Sequence, residues 1–265
     1  MLARQRPARP GPTALLLVVL LAAVARASWI ILMPLRPSSP ELRQAARTAL
    51  HFFNYRTASP STLRNLKDVL NGSAVIMKGE KEIKVAFSVE SHRTKNLQLG
   101  TCSAQVGFKE HKPVPTVNIN CTLLPDQKER EQEDYKLYEQ IKQLETPPFE
   151  TMIPDKFGNM DPSLQPLWEL AMIGNSFVMW EKTTVTSYYY VQQITNIKKR
   201  ITPDDFIALH YKVLLHEFKS QEIISCQVHL VWHPEKPSKT QYHCQDSGTQ
   251  ENGSGHGEGS GEHSL

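Results

Sequence analysis

The chain has 265 residues, 40% of them hydrophobic, with 30 basic against 27 acidic side chains. That length admits one large domain or two of roughly 100 to 120 residues, each able to bury its own core, and two is the expectation. The near balance of charge gives no basic field to draw a phosphate backbone, which argues against nucleic acid as a partner.

Residues 1–27 read as a secretory signal. Arg4, Arg6 and Arg9 precede an apolar run from Ala14 to Val24, and Ala25-Arg26-Ala27 fits the small-x-small cleavage rule. Cleavage there removes four arginines and takes the mature balance to 26 basic against 27 acidic residues. A single-pass membrane anchor competes with this reading, because Trp29-Ile30-Ile31-Leu32-Met33 resumes the apolar character. The uninterrupted run nevertheless falls short of the roughly 20 residues that spanning requires.

Ser39-Pro40-Glu41 is a helix start, with a capping residue, proline at the first helical position and an acid in the first turn. Leu42, Ala45, Ala46, Ala49, Leu50 and Phe53 follow at helical spacing. Asn71-Gly72 reads as a turn, and Ile83 to Val89 as a strand. From Cys102 the pattern is strand, a turn at Lys112-Pro113, a strand from Val114 to Leu123, and Cys121.

Asp126 to Glu145 is charged but carries Leu137, Ile141 and Leu144 on one helical face, so it reads as a linker helix. A solvated charge run is the alternative. Asp161-Pro162 opens a second apolar helix through Leu164, Leu167, Trp168 and Ala171 to Trp180. Strands follow at Val185 to Ile194, Phe206 to Leu215 and Gln227 to Trp232.

The second half repeats the first at an offset of 124, the separation of Cys102 from Cys226. Lys236-Pro237 matches Lys112-Pro113, Cys244 matches Cys121 to within one residue, and Phe177 falls on Phe53. Each pair of cysteines stands at the feet of a hairpin, where a disulfide is within reach. The expected pairs are Cys102 with Cys121 and Cys226 with Cys244, as befits an even cysteine count in an exported chain. A helix whose apolar stripe is wrapped by three or four antiparallel strands is an α+β unit, here present twice. Residues 247–265 are Gly, Ser, Glu and His with almost nothing apolar, the composition of a disordered tail.

The chain resembles the latexin and retinoic acid receptor responder family, in particular its secreted branch with the eggshell matrix ovocalyxin. The resemblance runs from about Pro40 to Gln245. It rests on 45–54 (Ala-Ala-Arg-Thr-Ala-Leu-His-Phe-Phe-Asn), Gln132-Glu133-Asp134-Tyr135, Val178-Met179-Trp180-Glu181, Val213-Leu214-Leu215-His216-Glu217 and His229-Leu230-Val231-Trp232. What it implies is two tandem cystatin-like subdomains, 28–125 and 147–246, joined by a linker helix over 126–146. For latexin itself it implies inhibition of zinc metallocarboxypeptidases. The Gln-x-Val-x-Gly hairpin and Pro-Trp with which cystatins inhibit papain-type proteases are missing: Gln105-Val106-Gly107 is too short.

No enzyme motif, cofactor site or metal site emerges. His216-Glu217 lacks the second histidine of a zincin, with Ser220 in its place. Four cysteines in bridges leave no nucleophilic thiol. Sequons at Asn71, Asn120 and Asn252 are candidate glycosylation sites, Asn71 the best placed. At least one ring of Tyr188-Tyr189-Tyr190 is expected to face outward, because side chains alternate along a strand. The reading is a secreted inhibitor directed at a metallocarboxypeptidase, with inhibitory contacts the sequence does not identify. The alternative is an extracellular matrix protein that binds matrix or calcium mineral, with His256 and His263 of the tail as possible contacts.

Overall fold

The first helix, α1, runs Pro40–Thr57 behind the edge strand β1, Ile31–Leu35. Proline sits in its first turn as the sequence indicates, although the Ser39 hydroxyl makes no cap bond. These elements come from a computed structural model that describes residues 31–245 apart from 95, 96, 111, 124, 125 and 149. The signal, the tail from 247 and Asn252 lie outside the described residues.

After a 3-10 turn the chain makes an antiparallel meander: β2 (Arg64–Met77), β3 (Glu80–Ser91), β4 (Gln98–Lys109) and β5 (Lys112–Cys121). Helix α2, Gln127–Gln143, follows, capped by the Asp126 carboxylate, which accepts from Lys128 N at 2.9 Å. The second half then repeats the order. Strand β6 (Met152–Ile153), helix α3 (Gln165–Lys182) and strands β7 (Tyr189–Ile201), β8 (Ile207–Glu217), β9 (Ile223–His233) and β10 (Lys236–Gln245) form the other five-stranded antiparallel sheet.

Alternation explains which face each strand buries. On β8, Leu209, Tyr211, Val213 and Leu215 turn in while His210 and Lys212 turn out. On β9, Cys226, Val228, Leu230 and Trp232 point to the same interior. The first sheet closes on α1 through Ile83, Val85, Phe87 and Val106, which meet Leu42, Ala45, Ala46 and Ala49. The linker helix is not a solvated run: Leu137, Tyr138 and Ile141 belong to the second core.

Three local expectations are corrected. Asn71-Gly72 is no turn but the middle of β2, at a register shift between Val69 and Asn71. A Cβ on Gly72 would stand 2.4 Å from Leu42 Cδ2 and 2.5 Å from the Lys84 carbonyl, so glycine is there because strand and helix approach closely. Lys236-Pro237 lies within β10, beside a bulge that accommodates a residue without an N–H, and Lys112-Pro113 likewise opens β5. Asp161-Pro162 begins a 3-10 turn, with Asp161 accepting from Ser163 N at 2.8 Å, and α3 starts only at Gln165. Pro166 fixes that start, since proline is tolerated only in a helix's first turn.

Candidate functional site at the junction of the two halves

Helices α1 and α3 lie against each other, and their aromatic side chains interleave. Phe52 meets Trp180 edge-on at 5.0 Å between ring centres, and Tyr55 meets Phe177 at 4.5 Å. Burial of this kind leaves indole N–H groups needing acceptors, and the other half supplies them. Trp180 donates to the Pro115 carbonyl of β5 at 3.0 Å, and Trp232 donates to the Ala58 carbonyl at 2.7 Å.

Charge ties the halves together as well. Glu169 on α3 has only 3% of its side chain exposed, and one of its oxygens accepts from Arg93 Nε at 2.9 Å and Nη2 at 2.6 Å. Beside that pair, Trp168 donates to His92 Nε2 at 3.2 Å, and His92 Nδ1 faces Asn65 Oδ1 at 3.1 Å. An acceptor role for Nε2 makes Nδ1 the protonated nitrogen, so His92 is neutral. Burial pushes its pKa down, against the pull of Glu169. The linker helix spans both halves: Asp134 accepts from Ser61 N at 3.0 Å, and Tyr138 donates to the Asp205 carbonyl at 2.5 Å. At its end Lys199 donates to the Ile141 and Lys142 carbonyls at 2.8 and 2.9 Å, satisfying acceptors that a helix terminus leaves open.

Cys102 is bonded to Cys121 and Cys226 to Cys244, each pair directly opposed on neighbouring strands. Asn71 and Asn120 are both exposed, and both line a shallow polar trough on the outer face of the first sheet with Lys84 and Gln105. Gln105-Val106-Gly107 lies within β4, with Val106 buried, and not at a hairpin tip. His216 faces the Tyr190 hydroxyl, while Glu217 turns inward and accepts from Tyr188 N at 3.2 Å and from Ser220 N. Among the described residues no three metal-ligating side chains converge. Of the three tyrosines, Tyr188 is buried and stacked on Phe218 at 4.8 Å, Tyr189 is half-buried and Tyr190 faces out.

Between the halves lies a cavity of 490 Å³, bounded by α1, the start of β2, α3 and the start of β7. Arg47, His51, Arg64 and His92 line it. At its rim the exposed side chains of Tyr190 and Phe218 form a partly apolar edge. None of the junction residues stands out in the sequence except Glu169, a lone acid inside the apolar run from Leu164 to Trp180. An acid in such a place calls for a partner, and the partner is 76 positions away.

Against known proteins, residues 35–250 match the family model described as Latexin. The chain is 51% identical to human retinoic acid receptor responder protein 1 over 83% of this chain and 77% of the relative. It is 33% identical to chicken ovocalyxin-32 over 94% and 93% of the two chains, and 30% identical to mouse latexin over 79% and 95%. Among solved structures, mouse fetuin-B in complex with crayfish astacin aligns with 83% of this chain and 70% of that one, at 14% identity and a TM-score of 0.27, a likeness that carries no argument. The matched stretch takes in β2 to β10, both disulfides and the linker helix, and the chain belongs to the latexin family.

Proposed function

We propose that this protein is a secreted inhibitor that binds a zinc metallocarboxypeptidase as a rigid two-part wedge and occludes the mouth of its active site. The reading rests above all on a family match that extends across both halves, so the shared object is the joined pair of sheets. A fixed junction suits inhibition, because a preorganised surface loses little freedom on binding. Nanomolar affinity needs about −12 kcal/mol, which an interface of ~1,600 Å² can supply.

In this reading each half, a strand, a helix and a four-stranded meander, is a cystatin-like subdomain. Their limits are 28–125 and 147–246, on either side of a linker over 126–146. Cleavage after Ala27 releases the mature chain, and Asn71 and Asn120, both exposed, carry glycans. Papain-type proteases are not targets, since Gln105-Val106-Gly107 is held inside a strand. Co-elution of the secreted chain with carboxypeptidase A on a sizing column tests the complex itself. A stable one-to-one peak supports the proposal, and separate elution at micromolar concentration refutes it.

The match to chicken ovocalyxin-32 over 94% of this chain favours a second reading, an extracellular matrix protein that binds matrix or calcium mineral without inhibiting anything. Deleting 247–265 then weakens adsorption to calcium carbonate; unchanged adsorption removes the tail from that mechanism.

A further inference from the structure

The cavity between the halves has a chemistry that inhibition does not use. None of the described residues lining it is acidic, yet two arginines do, Arg47 and Arg64. The acids nearby are engaged elsewhere: Glu169 is held by Arg93 and Gln165, and Glu217 by backbone N–H groups. Arg47 has an aromatic neighbour, its guanidinium 5.8 Å from the Tyr188 ring centre. Arg64 supplies no free cation: it is 2% exposed, and its guanidinium donates to the Leu99 and Leu123 carbonyls at 3.4 and 3.0 Å and lies 5.2 Å from the Phe53 ring centre, none of these partners being among the described residues of the cavity wall.

Ser176 on α3 also lines the cavity. It is fully buried, and its hydroxyl has no hydrogen-bond partner. Burial, and then the charge of Arg47, pushes His51 down to about 3, so its imidazole is neutral at physiological pH and adds no cation of its own. The wall is completed by Leu50, Leu63, Leu66, Met172 and Phe218 as its apolar part and by Asn54, Asn65 and His92 as neutral polar groups. A concave apolar wall with a few convergent polar groups, in the size range of ligand pockets, is the usual form of a small-molecule site.

We propose that this cavity binds a small amphipathic carboxylate, its charge matched by Arg47 and its apolar body lying against Leu50, Leu66, Met172 and Phe218. Such a ligand bridges the two halves, since Arg47 and Leu50 belong to the first and Met172 and Phe218 to the second. Because the site is internal to the junction, it stands whether or not the chain inhibits a protease.

The test is calorimetric titration of the full chain with decanoate, with decanol as the uncharged control, both below the concentrations at which they aggregate. Decanoate is expected to bind saturably in the micromolar range and decanol about tenfold or more weakly. Arg47→Gln, which removes the cation on the cavity wall, is expected to weaken decanoate about tenfold and leave decanol unchanged. With methyl-labelled methionine, the Met172 resonance is expected to shift on addition of decanoate, which places the ligand independently of any variant. Absence of saturable binding, equal affinity for acid and alcohol, an unaltered Arg47→Gln protein, or a stationary Met172 resonance would each overturn the proposal.

Discussion

Replacing Arg93 by Met leaves the Glu169 carboxylate inside the junction without its cation. Removing one member of a fully buried ion pair costs about 3–5 kcal/mol, because the survivor is a charge stripped of water. Two features lower that figure here. The Arg93 side chain keeps 30% exposure, which screens the pair, and Gln165 Nε2 still donates to the other Glu169 oxygen at 3.0 Å. The expected loss is about 2 kcal/mol, read as a drop in the urea midpoint at constant slope. Arg93→Met with Glu169→Met removes both charges and is expected to recover most of it, since an apolar pair of similar volume is often no worse than a buried salt bridge. A single variant within experimental error of the parent, or a double variant worse than the single, would refute the view that this pair is desolvated and joins the halves.

Three further outcomes follow from the packing. A Cβ on Gly174 would stand 2.6 Å from the Tyr211 hydroxyl, which itself donates to the Ala171 carbonyl at 2.9 Å. Gly174→Ala is therefore expected to cost about 2 kcal/mol by overpacking despite alanine's better helix propensity, and Tyr211→Phe in the same chain to relieve most of it, both by urea unfolding. His51, neutral in the fold down to about 3 but protonated below 6.5 when unfolded, contributes stability that is whole above 6.5 and lost as pH falls toward 3. Between pH 7 and about pH 5 the parent should lose about 2 kcal/mol more than His51→Gln; equal pH profiles would contradict the burial of that imidazole. Replacing Cys226 and Cys244 together by Ser is expected to cost about 3 kcal/mol through freed unfolded-chain entropy, measured as a shift in the thermal midpoint.

What the sequence carried of this fold is what short-range periodicity encodes. The α1 stripe from Leu42 to Phe53 and the Leu137, Ile141 and Leu144 face of α2 each repeat at helical spacing, and the structure packs both faces. β2 was illegible because two register shifts interrupt its alternation and Asn71-Gly72 imitates a turn. β1 falls inside the first subdomain but is not marked as a strand, since an edge strand with Ile31, Leu32 and Met33 exposed has no hydrophobic alternation to reveal it. The junction is invisible for a different reason. Arg93 and Glu169, Trp180 and Pro115, Trp232 and Ala58 meet only once both halves have folded, and no local pattern marks residues that far apart.

An inhibition titration of zinc carboxypeptidase A by this protein, with papain run in parallel, decides between a protease inhibitor and a protein that only binds matrix. Loss of carboxypeptidase activity at one-to-one stoichiometry, with papain unaffected, is the expected result. Full carboxypeptidase activity in the presence of micromolar protein would contradict it.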